Sequence, residues 1–492
     1  MFWAYGSFVG VRMASFVTTA VLARLLLPKD FGLIAAAMTF MAFLDMIQGL
    51  GVGEALVVSD PDRLANEADT AFALSSGMGL VLWLASAALG PAAAALFHQP
   101  RMVEIMPALG FTFLIYGLGS THYSLAMRGI DFRSRTVAEI ADAIVRGVIG
   151  VVLALAGAGV WALVAGYIGG AVAMTIVVWK MVQWQPRWRL GREHMRRLLG
   201  FGGALTAVGI MGAFLNQFDN AVVGRVLGPT ELGFYSIANR LPYLLIISLA
   251  AATGQVLFPA FAALDGEAMI RGFLTSLRYT AMVALPLTAV LITLAEAITL
   301  AIFGPQWRGA IVATQVLCLW ALMSPISMVC GNAIKSRGRA GLLLALAVPQ
   351  AIVLIVGSLL LVHQGIVAIA WVQAAIAIIA QIVTLVIACR MLGVSARGIM
   401  RSIGPPLLAS AVLAGVLLGI RAVLSGPWPT VIIGGIVGAV VYLGVLHLLA
   451  PDLLPSLREL AFPRRRATSP PDPTAAGEQA AAQEPPAAVT RS

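Results

Sequence analysis

The chain has 492 residues, of which 60% are hydrophobic and only 11% are charged, and its mean hydropathy is +0.93. Soluble domains carry about 25% charged residues, so this composition excludes an ordinary soluble enzyme or binding domain. The formal net charge of +10 would suit a nucleic-acid-binding protein, unless the positive charges cluster in the loops on one side of a membrane. Cys318, Cys330 and Cys389 lie in apolar stretches, without the spacing of a zinc site or a disulfide framework.

Apolar stretches recur along the chain, and each is long enough to cross a bilayer as a helix of about 20 residues. We expect an all-α polytopic membrane protein of about 14 transmembrane helices. The predicted spans are roughly 3–26, 32–57, 71–97, 102–126, 137–156, 160–181, 200–227, 232–258, 277–303, 310–334, 342–362, 366–389, 403–424 and 428–450. The first stretch has neither a basic leader nor a small-residue cleavage pattern, so we expect it to be a retained first helix.

The basic residues are distributed unequally between the two predicted faces of the membrane. With the N-terminus in the cytoplasm, roughly 23 of the Lys and Arg residues lie in the cytoplasmic connections and the tail, and about six lie on the other side. This asymmetry predicts cytoplasmic N- and C-termini, and it argues against a nucleic-acid partner. The residues after the last span, 451–492, end in a Pro- and Ala-rich segment that we expect to form a disordered cytoplasmic tail.

Three short sequence landmarks occur twice, about 200 residues apart, which is the signature of an internal repeat. RLLLPKDFG (24–32) returns as RVLGPTELG (225–233), LFHQPR (96–101) as IFGPQWR (302–308), and GVWALVA (159–165) as GIVAIAW (365–371). An even number of spans separates each pair, so the two halves have the same orientation in the membrane. Parallel repeats of this kind occur in transporters, with the substrate path between the halves.

This repeat predicts the domain organisation of the chain. We expect an N-terminal six-helix lobe at 1–199, a C-terminal six-helix lobe at 200–402, two additional helices at 403–450 and the tail.

Several ionisable residues lie inside the predicted spans, where each costs roughly 2.5–3.5 kcal/mol on insertion scales. Arg12 and Asp45 are at matched depths on helices 1 and 2, and Asp219 and Arg240 are at matched depths on helices 7 and 8. Two interpretations remain open for these residues. They are salt bridges that hold neighbouring helices in register, or the arginines face a central cavity and bind an anion. Glu139, Asp142 and Arg146 are spaced three and four apart, so they form one charged stripe on helix 5. Glu54 lies near the inner end of helix 2, and Glu296 lies on helix 9.

Two segments carry a resemblance to a known family. ARLLLPKDFGLIAAAMTFMAFLDMIQGLGVGEALV (23–57) and FDNAVVGRVLGPTELGFYSIANRLPYLL (218–245) resemble the Wzx-type flippases. These form the polysaccharide-transporter branch of the multidrug/oligosaccharidyl-lipid/polysaccharide exporter superfamily. The resemblance covers about residues 1–450. It implies a bacterial inner-membrane protein with two six-helix lobes around a cationic cavity, which alternates between inward-open and outward-open states.

The resemblance also implies a substrate and the residues that would contact it. The substrate would be an undecaprenyl-diphosphate-linked oligosaccharide, moved to the periplasmic leaflet for exopolysaccharide, capsule or O-antigen synthesis. The family's charged positions fall on Arg12, Asp219 and Arg240. We expect arginines to bind the diphosphate and polar or aromatic side chains to bind the sugars. The predicted substrate-binding residues are Arg12, Arg146, Arg240, Asn216, Gln217, Asn239 and Tyr243.

Two roles are open for Asp45, Asp219 and Glu296. They either bind the coupling ion or form charge pairs with arginines. The chain has no phosphate-cradling loop and no catalytic motif, so we expect neither an ATPase nor another enzyme, and no resident cofactor or metal. Transport would draw on an ion gradient, of protons or sodium, or on the substrate's own gradient. The expected partners are membrane lipids, the lipid-linked oligosaccharide, and a polysaccharide polymerase with its chain-length proteins.

Three alternatives are weighed against a flippase. A multidrug cation antiporter of the same superfamily would need an acidic, aromatic cavity; Asp45, Asp219 and Glu296 favour it, whereas the intramembrane arginines oppose it. A polysaccharide polymerase or ligase generally needs a large extracytoplasmic loop, and no outer connection here exceeds about ten residues by the predicted spans. A scaffold without transport activity is the third alternative.

Overall fold

The computed structural model describes residues 2–49, 52–57, 59–129, 132–191, 193–195, 197, 216–247 and 257–450. Over these residues the regular structure consists of helices, with no β-strand, which confirms the all-α prediction. In this part of the chain ten helices are long and apolar enough to cross a membrane. Four predicted spans are not among these ten. The spans 3–26 and 137–156 correspond to the described helices Phe2–Leu25 and Phe132–Leu155, which this measure of length and composition, applied to the described residues, does not count. The spans 200–227 and 232–258 fall partly outside the described residues, so the count of about 14 stays a prediction.

The first half of the chain contains seven helices in its described part. They are α1 (Phe2–Leu25), α2 (Pro28–Gly49), α3 (Val52–Val57), α4 (Leu64–Phe97), α5 (Met102–Arg128), α6 (Phe132–Leu155) and α7 (Val160–Met181). The predicted second span is divided into α2 and α3, and α4 begins at Leu64, earlier than predicted.

The second half is more interrupted. Its helices are α8 (216–226), α9 (Pro229–Ala238), α10 (Arg240–Pro242) with a π-helical turn at Tyr243–Ile247, α11 (257–262), α12 (Gly266–Thr293), α13 (Ala295–Ile302) with a 3-10 turn at Pro305–Ala310, α14 (Ile311–Ser336), α15 (Ala340–Leu361) and α16 (Ile366–Leu392). Two more follow, α17 (Ala396–Val423) and α18 (Pro427–Leu449). Helix α17 begins earlier than predicted because the Ser395 hydroxyl caps it, accepting from Gly398 N at 3.2 Å.

The chain forms one compact unit up to Tyr442 and a second from Leu443 onward, of which the structure describes the end of α18. The lobe boundaries at residues 199 and 402 stay predictions. The predicted tail, 451–492, lies outside the described residues.

The buried apolar residues of the first unit form one cluster that joins the two halves of the chain and smaller clusters within each half. One core contains Leu22 of α1, Leu33 of α2 and Phe97 of α4 together with Leu232 of α9 and Leu317 of α14, so it joins the two halves of the chain. Two further clusters each belong to one half, one around Leu56 and Ala71 and the other around Phe273 and Ala388. In the described residues the halves therefore share a core at the end that carries the α1–α2 turn.

Small residues allow helices α4 and α5 to approach closely. A Cβ atom added at Gly79 would lie 2.5 Å from the Phe113 carbonyl oxygen, and one added at Gly117 would lie 2.6 Å from the Ser75 carbonyl oxygen. Helices in lipid associate through such contacts because burial from water contributes nothing between them.

We expect Gly79→Ala to destabilise the protein by about 1–3 kcal/mol, the usual cost of overpacking. Gly77→Ala on the same helix is the matched control, since a Cβ there meets nothing within 4 Å. Both changes raise helix propensity equally, so their difference in thermal unfolding midpoint in detergent measures the clash. Equal midpoints would contradict the close packing of α4 on α5.

Candidate functional site

Two cavities lie side by side in the first compact unit and share Ser236 and Arg240. The smaller, of about 210 Å³, is enclosed by α1, α2, α6 and α7 and by the end of α9. The larger, of about 760 Å³, is enclosed by α8, α9, α14, α15 and α16. Its size is in the range of small-molecule sites.

Arg146 of α6 lines the smaller cavity in a fixed orientation. Its Nη2 donates to Asp142 Oδ1 at 2.8 Å and to Oδ2 at 2.7 Å, and its guanidinium carbon lies 4.4 Å from the centre of the Tyr167 ring. Gly170 of α7 leaves room for this pair, because a Cβ there would lie 2.4 Å from Asp142 Oδ1. Arg146 Nε is buried and has no hydrogen-bond acceptor among the described residues.

Arg240 lies where the predicted helix 232–258 is interrupted. Helix α9 ends at Ala238, and α10 passes into the π-helical turn directly after Pro242. Proline lacks an N–H and its ring clashes with the preceding turn, so the regular helix cannot continue unchanged through Pro242. The Arg240 side chain reaches the other half of the chain, where Nη2 donates to Thr19 Oγ1 at 3.2 Å.

Amide and aromatic side chains form half of the lining of the larger cavity. The predicted residues Asn216, Gln217, Asn239 and Tyr243 all line it, so the structure brings this part of the predicted site together. Sequence reasoning missed Trp320, Gln350 and Gln373, which also line the cavity, because they come from helices far along the chain. For Gln350 and Gln373 the one signal available in the sequence was an amide inside an apolar span.

Asp219 also lines the larger cavity and is the most deeply buried of the predicted charged residues, with 3% of its surface exposed. Its Oδ2 accepts from Tyr235 OH at 2.7 Å and from Gln373 Nε2 at 2.5 Å. Its Oδ1 is buried without a hydrogen-bond donor among the described residues, and so are the side-chain oxygens of Asn239 and Gln373. The structure therefore gives Asp219 neutral donors and no ion pair with Arg240 in the described part.

The remaining predicted residues lie outside the linings of the two cavities. Arg12 is half-buried on α1, and Asp45 is exposed on α2. Glu296 of α13 forms an ion pair with Arg421 of α17, and both side chains are partly exposed. This pair connects α17 to the second half of the chain.

The long apolar helices and the two internal cavities define a multi-pass membrane transporter. The chain belongs to the polysaccharide biosynthesis protein family, whose model matches residues 21–312, more than half of its length. This assigns it to the polysaccharide-transporter branch and confirms the resemblance seen in the two repeated segments.

Individual relatives agree with this assignment. The chain is 29% identical over 360 residues to the succinoglycan biosynthesis transport protein ExoT of Rhizobium meliloti (strain 1021), covering 71% of each chain. It is 22% identical over 331 residues to the lipopolysaccharide biosynthesis protein WzxC of Escherichia coli (strain K12), covering 66% of each. Its fold is similar to that of the lipid II flippase MurJ, with a TM-score of 0.73 at 14% identity, over 92% of this chain and 100% of that one.

Proposed function

We propose that this protein flips an undecaprenyl-diphosphate-linked oligosaccharide from the cytoplasmic to the periplasmic leaflet of a bacterial inner membrane. The observation that carries the proposal is the pairing of the two cavities. A small cavity lined by Arg146 and Arg240 adjoins a larger one lined by amides and aromatic rings, and Arg240 belongs to both.

The smaller cavity suits the diphosphate. A guanidinium group binds phosphate oxygens through charge-assisted, often bidentate, hydrogen bonds. The buried Arg146 Nε lacks an acceptor among the described residues, and a phosphate oxygen would supply one. The hydroxyls of Ser15, Thr18 and Thr19 line the same cavity and are further donors. A cationic drug would meet two arginines here, so the cavity favours an anion over the substrate of a cation antiporter.

The larger cavity suits the sugars. Amides both donate and accept hydrogen bonds, so they match sugar hydroxyls. The rings of Tyr243 and Trp320 present apolar faces and polar edges to the same space. The lipid tail would stay in the bilayer, where it costs nothing, while the polar head passes through the protein.

Arg240 is the residue through which substrate and conformation would be coupled. It belongs to the second half of the chain and donates to Thr19 in the first half, so a phosphate bound between Arg146 and Arg240 would hold the halves together. Movement of one half against the other would separate the two arginines and release the substrate on the other side.

Asp219 is the proposed site of energy coupling. A buried carboxylate without a cationic partner is costly unless it takes up a proton or a cation. The unpaired oxygens of Asp219, Asn239 and Gln373 in the described part of the chain are the oxygen ligands that a hard cation prefers. We propose that a proton or a sodium ion binds here, with both termini in the cytoplasm and the product passed to a polymerase and its chain-length proteins.

Replacing Arg240 with alanine should strongly impair flipping. In a strain that lacks its own flippase but makes the cognate glycan, we expect surface polysaccharide to fall about tenfold or more and lipid-linked oligosaccharide to accumulate, since a charged hydrogen bond contributes about 1.5–3 kcal/mol. Arg271→Ala is the matched control, because Arg271 is exposed and pairs only with Glu267 of its own helix in the described structure. Both variants are checked for membrane insertion.

Two results would contradict the flippase. One is full complementation by Arg240→Ala. The other is failure of the wild-type protein in its cognate pathway together with a gain of resistance to cationic drugs, which would indicate an antiporter.

Asp219→Asn should uncouple transport from the ion gradient. The amide keeps the shape of the side chain but cannot take up a proton or balance a cation, so uptake of lipid-linked oligosaccharide headgroups into inverted vesicles should lose its dependence on an imposed proton or sodium gradient. Glu296→Gln is the control, because Glu296 lies outside both cavity linings and pairs with Arg421. If Asp219→Asn keeps the wild-type gradient response, the coupling site lies elsewhere.

A further inference from the structure

The first pair of repeated segments, 24–32 and 225–233, meet each other across the two halves of the chain. A Cβ atom added at Gly32 would lie 1.6 Å from the Pro229 carbonyl oxygen, and one added at Gly233 would lie 2.0 Å from the Pro28 carbonyl oxygen. Gly32 and Gly233 occupy the same position in the repeat, and so do Pro28 and Pro229. The N-termini of α2 and α9 are therefore in direct backbone contact, and neither glycine leaves space for a methyl group.

The arginine that begins each of these segments makes a second contact across the halves. Arg24 donates from Nε to the Ile302 carbonyl oxygen at 2.9 Å, and from Nη2 to that of Ala301. Arg225 donates from Nη1 to the Leu96 carbonyl oxygen at 2.5 Å. Ala301 and Ile302 end α13, whereas Leu96 lies in the last turn of α4. Each guanidinium thus caps the C-terminus of a helix in the other half, where unpaired carbonyls and the helix dipole attract a cation.

The acceptors are also related by the repeat. Leu96 begins LFHQPR and Ile302 begins IFGPQWR, the second pair of repeated segments. The third residue of each segment has a positive φ, His98 at 53° and Gly304 at 102°. Such reciprocity, in which each half gives the other the same donor and the same acceptor, is the mark of a two-fold related interface. Arginines that only reached for lipid headgroups would have no reason to select matching carbonyls of the opposite half.

We propose that these contacts form the outer gate of the transporter, closed in this structure. The hydrogen bonds of Arg24 and Arg225 hold the gate closed, and the backbones of the two halves meet at the Gly32–Gly233 contact. The gate lies at the end of the protein where one apolar core joins the halves, on the face that the basic residues predict to be periplasmic. The inference rests on alternating access, and it assigns the residues that must separate before the two cavities open outward.

The arginine hydrogen bonds of the gate are suited to reversible opening. Arg24 and Arg225 are exposed, so water can replace the carbonyl acceptors when the halves part and no buried charge is left unpaired. The glycine contact involves neither a charge nor a side chain. The two backbones themselves set how closely the halves can approach.

The gate can be tested by cysteine accessibility. Ser236→Cys, which places a thiol on the lining shared by both cavities, is introduced after Cys318, Cys330 and Cys389 are replaced by alanine. A membrane-impermeant maleimide is then applied to vesicles of either orientation. Four variants are compared, Gly32→Ala, Gly233→Ala, Arg24→Ala and Arg225→Ala. We expect each to raise labelling from the periplasmic side by about tenfold and to lower labelling from the cytoplasmic side. The arginine variants weaken the closed state by about one charged hydrogen bond, and the glycine variants weaken it by a steric clash of similar cost.

The controls are matched in residue type. Gly10→Ala adds a methyl group where nothing lies within 4 Å, and Arg308→Ala removes an exposed arginine of the same predicted face. Neither should change labelling. The arginine variants carry the test when a glycine variant does not accumulate, since they change exposed side chains.

Unchanged labelling in both arginine variants, or a rise from the cytoplasmic side, would overturn the gate. The readout needs no lipid-linked oligosaccharide. A shift in labelling with no complementation by the wild-type protein in its cognate pathway would therefore support the gate and refute the proposed substrate. Complementation without a shift would support the proposed substrate and refute the gate.

Discussion

In hydrocarbon there is no water to satisfy a polar group, so every buried donor and acceptor must find its partner within the protein or its ligand. This constraint explains why the regular structure of the described chain is helical and why its helices approach through glycine, as at Gly79 and Gly117. It also makes the exceptions informative. The buried Arg146 Nε and Asp219 Oδ1 have no partner among the described residues, and each lies on a residue that lines a cavity. Unpartnered buried polar atoms also occur away from the cavities in the described residues, for example at Ser76. It is therefore their position on a cavity lining that makes Arg146 and Asp219 candidates for contact with a substrate or an ion.

The interruption after Ala238 connects local chain chemistry to this site. Pro242 prevents a regular helix, and the break leaves Arg240 on the boundary of both cavities, within reach of Thr19. The same residue therefore contacts the first half of the chain and lines the pocket of the second. Under the proposed alternating access, such a residue would respond to both the substrate and the conformation.

The internal repeat is more than a record of duplication, because its landmarks meet in space. The proline-glycine turns of the two halves contact each other, and the arginine of each half caps a helix of the other. The match is not complete, since Gln306 and Trp307 additionally donate to the Ala23 carbonyl oxygen at 2.7 Å and 2.8 Å. The end of α1 is therefore held more firmly than that of α8 by the contacts described here, and an approximate two-fold interface gains a stronger and a weaker side.

The sequence by itself determined the membrane class, the all-α fold, the repeat and the family, because these depend on the length of apolar stretches and on motifs that are local in the chain. It also placed Arg146, Arg240 and Asp219 inside spans, and the spacing of Asp142 and Arg146 predicted their shared helix face. Only the tertiary structure decided that Asp219 is bound by Gln373, 154 residues away, and that Arg24 caps a helix 278 residues away. Depth in a membrane can be read from the sequence. The direction in which a side chain points cannot, because a helix that is apolar all round has no polar face to indicate its rotation or its neighbours.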